Sequence, residues 1–448
     1  MRFLPHTDAD RAAMLGAIGV SDINNLFTDI PAGFHIEPGS LDLPDALSEA
    51  AIVRKFTCAS EQNRHAGSTS CFLGGGTYHH FIPAIVDYVI SRGEFLTAYT
   101  PYQPEISQGT LQVLFEFQTM AARLLEMDIS NASMYDAATS VAEAALMAKR
   151  VTRRARTVIA GSVNPRYRTV TRNYLLHLEG DTVELPSENF TTDIEAIVAA
   201  ITPETASVIV QYPDFYGTVY DLADIRKKCD ETGTLMVVAF SDATAFGLIR
   251  APGSFGADIV VGSGQSLGIP MGFGGPHLGI FTCTQKLLRQ MPGRVCGLTQ
   301  DANGKRGFVL TLSTREQHIR REKATSNICS NQGLMCTAAA TYMALMGDAG
   351  LKRVAENSAA ALKMLVDGLP ENVTAAGGAH YNETVLSFTD QTTRDGFLTR
   401  AEAAGIFAGI PLEKLEKDIE PKHLLVAATE MIETDDVTRY LELLGGAQ

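Results

Sequence analysis

ASVIVQYPD at residues 206–214, LMVVAFSD at 235–242 and ADIVVGSG at 257–264 are three short runs of almost unbroken apolar, largely β-branched character, each closing on small or acidic residues. A strand with one wet face alternates polar and apolar side chains, whereas an unbroken run marks a strand covered on both faces. The intervals between the runs are long enough for crossover helices, so these stretches predict a buried, mostly parallel sheet of the α/β class. TVIAGS at 157–162 and HLGIFTC at 277–283 extend the same sheet.

Working outward, residues 110–127 place Leu111, Leu114, Phe115, Gln118 and Leu124 near helical spacing, with Glu116 and Arg123 on a polar face. A second helix, rich in small residues, is expected at about 138–150. Further on, 333–347 and 354–369 read as helices, and ETVLSF (383–388) and HLLVAATE (423–430) as strands of a separate, smaller unit. The first ninety or so residues read as helices and irregular segments, opening with Thr7 as a cap before Asp8 and Asp10 and broken by Pro31, Gly33, Pro38 and Gly39. The expected organisation is an N-terminal helical arm (1–95), a large α/β domain (96–335) and a small C-terminal α+β domain (336–448).

The 448-residue chain is 45% hydrophobic and 20% charged with no glycine period, which excludes a disordered or fibrous protein. A net charge of −14 argues against a nucleic-acid partner, whose phosphates require clustered cations. The 7 cysteines are scattered with no C-x-x-C pair, as in a reducing compartment. Asp8 and Asp10 interrupt any apolar leader, so a cytoplasmic location without a membrane segment is expected.

Several short segments could carry chemistry. Ala138, Thr139 and Ser140 open a helix, where free N–H groups and hydroxyls can hold an anion; the ordinary alternative is a hydroxyl cap on a buried helix. SGQSLGIPMGFGGPHLG (263–279) is a glycine-rich loop after a buried strand, without a Walker lysine or a dinucleotide fingerprint. Arg320, Arg321 and Lys323 beside Thr325, Ser326 and Asn327 could contact an anion or form a solvated charge run, and Thr100 to Glu105 is a rigid, proline-flanked loop. His79 and His80 are neighbours whose side chains point apart, so no metal site is expected there.

Five ordered segments, 72–86, 97–112, 131–148, 264–279 and 321–332, together resemble the P-proteins of the glycine cleavage system, the decarboxylating glycine dehydrogenases, and within them the alpha halves of the two-subunit bacterial form. The resemblance implies a fold type I pyridoxal-phosphate architecture. It also implies a reaction that decarboxylates glycine on that cofactor and passes the aminomethyl group to the lipoyl arm of the H-protein, with the T- and L-proteins as further components. In catalytic relatives a Schiff-base lysine precedes the Ile-Pro of the glycine-rich loop, and Gln265 stands there in this chain. A carboxamide nitrogen is delocalised and forms no imine. Gly161 stands where relatives place the imidazole that stacks on the cofactor, and Asp242 matches the carboxylate that pairs with its pyridine nitrogen, although a lone strand-end aspartate is also a common cap or turn residue. The resemblance therefore implies a chain without catalytic residues of its own, whose beta partner holds the cofactor. Thr100, Tyr102, Gln103, Thr325 and Asn327 are the candidates for completing the partner's pocket, with Thr139, Ser140 and Asp242 as vestigial contacts. A non-catalytic scaffold or regulator remains an alternative, as does a self-sufficient pyridoxal-phosphate decarboxylase, which Gln265 disfavours.

Overall fold

The computed structural model describes residues 6–36, 39–312, 315, 317–328 and 330–446. The chain forms two units, Met1–Arg64 and His65–Gln448. In the first, helix α1 (Asp8–Ile18) is capped by Thr7, whose side chain accepts from Asp10 N–H while the Asp10 carboxylate reaches back to the cap. Helix α2 (Glu49–Glu61) begins at Ser48, which caps it in the ordinary way.

In the second unit, α3 (Ala84–Ile90) and α4 (Gln108–Leu124) lead into a seven-stranded sheet. Its members are β1 (Ile129–Ser130), β2 (Arg156–Ile159), β3 (Thr182–Glu184), β4 (Thr205–Gln211), β5 (Leu235–Phe240), β6 (Ile259–Ser263) and β7 (Gly279–Cys283), in the spatial order β1-β7-β6-β5-β4-β2-β3. The pairs β2–β3, β2–β4, β4–β5 and β5–β6 are parallel. Every residue of β4, β5 and β6 is buried, which is why these strands carry no polar alternation. Helix α5 (Ala137–Thr152) packs on the sheet through a face of alanines, valine and methionine. Strand β7, between the edge strand β1 and β6, breaks the parallel run and is antiparallel to both. Residues 264–278 form a glycine-rich loop with no crossover helix, so the chain can only turn back beside the strand it has left.

The hairpin β8 (Val295–Gln300) and β9 (Arg306–Thr311) packs on α4. Residues 333–367, read from sequence as parts of two helices, are two helical stretches that follow one another across a break at Gly347 (φ 54°, ψ −169°) and are labelled together as α6 (Gly333–Asp367). It leads into a second, antiparallel sheet of β10 (Thr374–Ala375), β11 (Glu383–Ser387), β12 (Ile410–Pro411) and β13 (His423–Ala427), ordered β10-β11-β13-β12. Helices α7 (Gln391–Ala403) and α8 (Thr434–Leu444) cover this sheet, and Phe72, Phe397 and Tyr440 pack together in its core.

Candidate active site

An open parallel sheet presents its ligands beyond the carboxyl ends of its strands, where the crossovers leave a crevice. Asp242 lies there, just after β5, and caps the short turn Ala243–Gly247. Its Oδ1 accepts the Thr244 amide at 2.9 Å and the Thr244 hydroxyl at 2.6 Å. Its Oδ2 accepts Asn382 Nδ2–H at 2.7 Å and His80 Nε2–H at 3.0 Å. The other His80 nitrogen, Nδ1, faces Glu430 Oε2 at 2.7 Å. With a carboxylate at each ring nitrogen, both are donors and the ring is an imidazolium.

His80 is 5% exposed and Asp242 is 3% exposed. Burial alone would push the His80 pKa down, but the charge of Asp242 and the hydrogen bonds to both carboxylates override it and hold the ring at about 10. Burial likewise opposes ionisation of Asp242, yet the charge and bond of His80, with the Thr244 donors, keep it at about 2. The buried cation and its two carboxylates are thus interdependent: removing one member leaves an uncompensated charge, at about 3–5 kcal/mol.

Gln265, two residues past β6, is equally enclosed. Its Oε1 accepts Tyr78 N–H at 2.9 Å, while Nε2 donates to the carbonyls of Tyr78 at 2.9 Å and Ile269 at 2.7 Å. Both amide hydrogens are used, and the side chain acts as a clamp on the backbone of residue 78. That backbone belongs to a strap, residues 74–81, fastened on both sides. On the large-sheet side, Asn164 Nδ2–H donates to Gly75 O at 3.1 Å. On the small-sheet side, Glu383 accepts Gly75 N–H at 2.6 Å and the Tyr78 hydroxyl at 2.8 Å, Thr429 donates to His79 O at 2.6 Å, and Glu430 accepts Phe81 N–H at 2.8 Å. Burial drives the Glu383 carboxyl up to about 8, so at neutral pH it is largely protonated. The strap can pass only as glycine at 74, where a Cβ would lie 2.1 Å from Glu383 Oε1.

Gly161 follows β2 at the same edge of the crevice. A Cβ there would stand 2.3 Å from Leu185 O and 2.6 Å from Ser187 N, so the backbone of residues 185–187 occupies the space a larger side chain would need. At the start of α5, the Asp136 carboxylate accepts Thr139 N–H at 2.8 Å, and the Ser140 hydroxyl donates to Asp136 O at 2.7 Å. This helix end supplies its own anion.

A second cluster gathers residues that sequence placed apart. Buried Arg294 donates to the Thr100 hydroxyl at 3.4 Å and the Tyr102 hydroxyl at 3.1 Å, and its guanidinium lies over the Tyr102 ring at 5.3 Å. Arg294 lines a pocket with Gly293, Arg315, Thr325 and Ser326, and Thr325 N–H donates to Arg315 O at 3.0 Å. The structure thus brings Thr100, Tyr102 and Thr325 together around Arg294, whereas Gln103, Lys323 and Asn327 lie exposed. Sequence reasoning missed Arg294, Arg315, Glu383 and Glu430, which carry no motif. It passed over His80 by asking only about metals, although the divergence of the two histidines holds, with His80 buried and His79 partly exposed.

The sheet order, the crevice and the small C-terminal sheet define the class: this is the fold type I architecture of pyridoxal-phosphate enzymes. The glutamate decarboxylase of Lactobacillus brevis shares that fold, with a TM-score of 0.69 at 11% identity over 93% of this chain and 96% of that one. The chain belongs to the glycine cleavage system P-protein family, whose match spans residues 1–444. It is 46% identical over 453 aligned positions, 99% of each protein, to the probable glycine dehydrogenase (decarboxylating) subunit 1 of Sphingopyxis alaskensis. It is 45% identical, with 100% coverage of both, to the protein of the same name from Maricaulis maris. It superposes on an inhibitor-bound crystal structure of glycine decarboxylase (P-protein) of the glycine cleavage system with a TM-score of 0.89 at 38% identity, covering 100% of each.

Proposed function

We propose that this chain is the alpha subunit of a two-subunit, cytoplasmic glycine dehydrogenase (decarboxylating), that the pyridoxal phosphate is held by a beta partner, and that this chain completes the partner's site. Within the system the complex decarboxylates glycine and delivers the aminomethyl group to the lipoyl arm of the H-protein, upstream of the T- and L-proteins. The observation that carries the reading is the carboxamide of Gln265, whose two hydrogens are committed to carbonyl oxygens at 2.9 and 2.7 Å. It offers no amine to an aldehyde.

The rest of the crevice supports the same reading, because its residues do not fit the cofactor. A pyridine nitrogen would need the Asp242 oxygen that His80 and Asn382 already use. A stacking ring would need a side chain at 161, where backbone stands. A phosphate at the start of α5 would meet the Asp136 carboxylate. The contribution to the partner is assigned instead to the cluster of Thr100, Tyr102 and Thr325 gathered around Arg294.

Two measurements test this. Glycine–bicarbonate exchange should require both subunits, and a beta subunit that matches the mixture on its own refutes the proposal. Borohydride reduction with pyridoxal phosphate should label a lysine of the beta chain and none of this one.

A further inference from the structure

We infer that residues 74–80 are a built-in occupant of the crevice that this fold class keeps for a cofactor, with the His80 ring seated on Asp242 where a protonated heteroaromatic ligand would sit, so that the space vacated by the His80 side chain is a binding site for a small aromatic cation. The inference rests on the reading of this chain as the cofactor-free subunit and goes beyond the loss of a lysine. A pocket that had only lost its lysine would be left open. Here the opening is filled by a segment with its own aromatic ring, its own cation and its own fastenings.

Three features assign the ligand chemistry. The first is charge: the ring lies between Asp242 and Glu430, at 3.0 and 2.7 Å, so whatever fills the space must be cationic. The second is donor geometry, because each carboxylate receives one ring N–H, as a planar nitrogen heterocycle supplies. The third is shape. Tyr78 stands with its ring centroid 6.4 Å from that of His80, and Asn382, Thr244 and Ser358 hold the two carboxylates through hydrogen bonds of 2.7, 2.6 and 3.3 Å. Asp242 and Thr244 follow β5, Asn382 precedes β11, Ser358 lies on α6 and Glu430 follows β13, and none of these elements depends on the His80 side chain for its own backbone bonding. The titratable groups facing the ring are Asp242, Glu430 and the adjacent His79, with Tyr342 and Tyr381 near the two carboxylates. Gln265 fixes the strap independently by clamping the backbone of Tyr78, which keeps the cavity walls in place when position 80 is trimmed.

The test uses the full-length chain and imidazolium chloride as the probe. His80→Ala should melt several degrees below the wild type and recover through a saturable rise in Tm as imidazolium is added at near-neutral pH. Sodium chloride of equal ionic strength should not do this, and the wild type should not respond. A His80→Ala protein that gains no more from imidazolium than from sodium chloride overturns the inference while leaving the cofactor-free reading intact. A wild-type chain in which borohydride and pyridoxal phosphate label a lysine overturns both. Should His80→Ala fail to fold, selectively 15N-labelled histidine in the wild type decides: both ring nitrogens of His80 should stay protonated at pH 8, and a neutral ring there refutes the assignment.

Discussion

Gln265→Glu changes one nitrogen to oxygen and leaves the side-chain shape untouched, so it isolates the clamp. The replaced atom lies 2.9 Å from Tyr78 O and 2.7 Å from Ile269 O, both acceptors. A protonated glutamic acid can donate to only one of them, leaving one buried carbonyl unpaired at a cost of about 1–3 kcal/mol. An ionised one would set a charge against two carbonyl oxygens, which burial forbids, so the carboxyl stays protonated as nearby Glu383 does, up to about 8. A folded-state pKa raised above the unfolded value of about 4.3 makes stability full below that value and lost as pH rises, at about 1.4 kcal/mol per pH unit. Gln265→Glu should therefore be less stable than wild type by about 2–4 kcal/mol at pH 5 and by about 6–8 kcal/mol at pH 8. Urea unfolding followed by far-UV circular dichroism and tyrosine fluorescence measures both differences, and the signal is clean because the chain has 13 tyrosines and 0 tryptophans. A difference equal at the two pH values, or absent at both, would refute the clamp.

Other outcomes follow from the same geometry. Gly161→Ala, whose Cβ would meet Leu185 O at 2.3 Å, should lower stability by about 1–3 kcal/mol, and a Tm equal to wild type would show that the backbone at 185–187 yields freely. Folding takes up protons at His80 (about 10), Glu383 (about 8) and Asp214 (about 7), all raised above their unfolded values, so Tm should fall as pH rises from about 5 to 10; a Tm that climbs over that range contradicts the assignments. Asp242, held near 2, acts in the opposite sense, contributing stability above about pH 4 that is lost only as pH drops through 2. Tyr102→Phe, which removes a 3.1 Å bond to Arg294, should cut exchange activity of the reconstituted complex about three- to tenfold with little change in the Tm of this chain, whereas unaltered exchange would remove Tyr102 from the shared site.

Unbroken apolar runs determined the parallel core of the sheet, because a strand buried on both faces has no polar positions to alternate, and that composition is local. Thr7 announced its helix for the same reason, since a cap and the amides it serves lie within one turn. The direction of β7 was illegible, because direction depends on the connection and not on the strand. Gln265 could be read as a residue unable to form an imine, a property of the side chain alone. Its role as a clamp needed the position of Tyr78, 187 residues earlier. His80 meets Asp242 across 162 residues and Glu430 across 350, and Arg294 finds Tyr102 across 192. Side-chain chemistry and short-range periodicity are written residue by residue, so the sequence settled the sheet and excluded an amine at 265. Which charges face one another in a buried crevice depends on how distant segments cross, and only the tertiary structure decided that the crevice is filled by the chain itself.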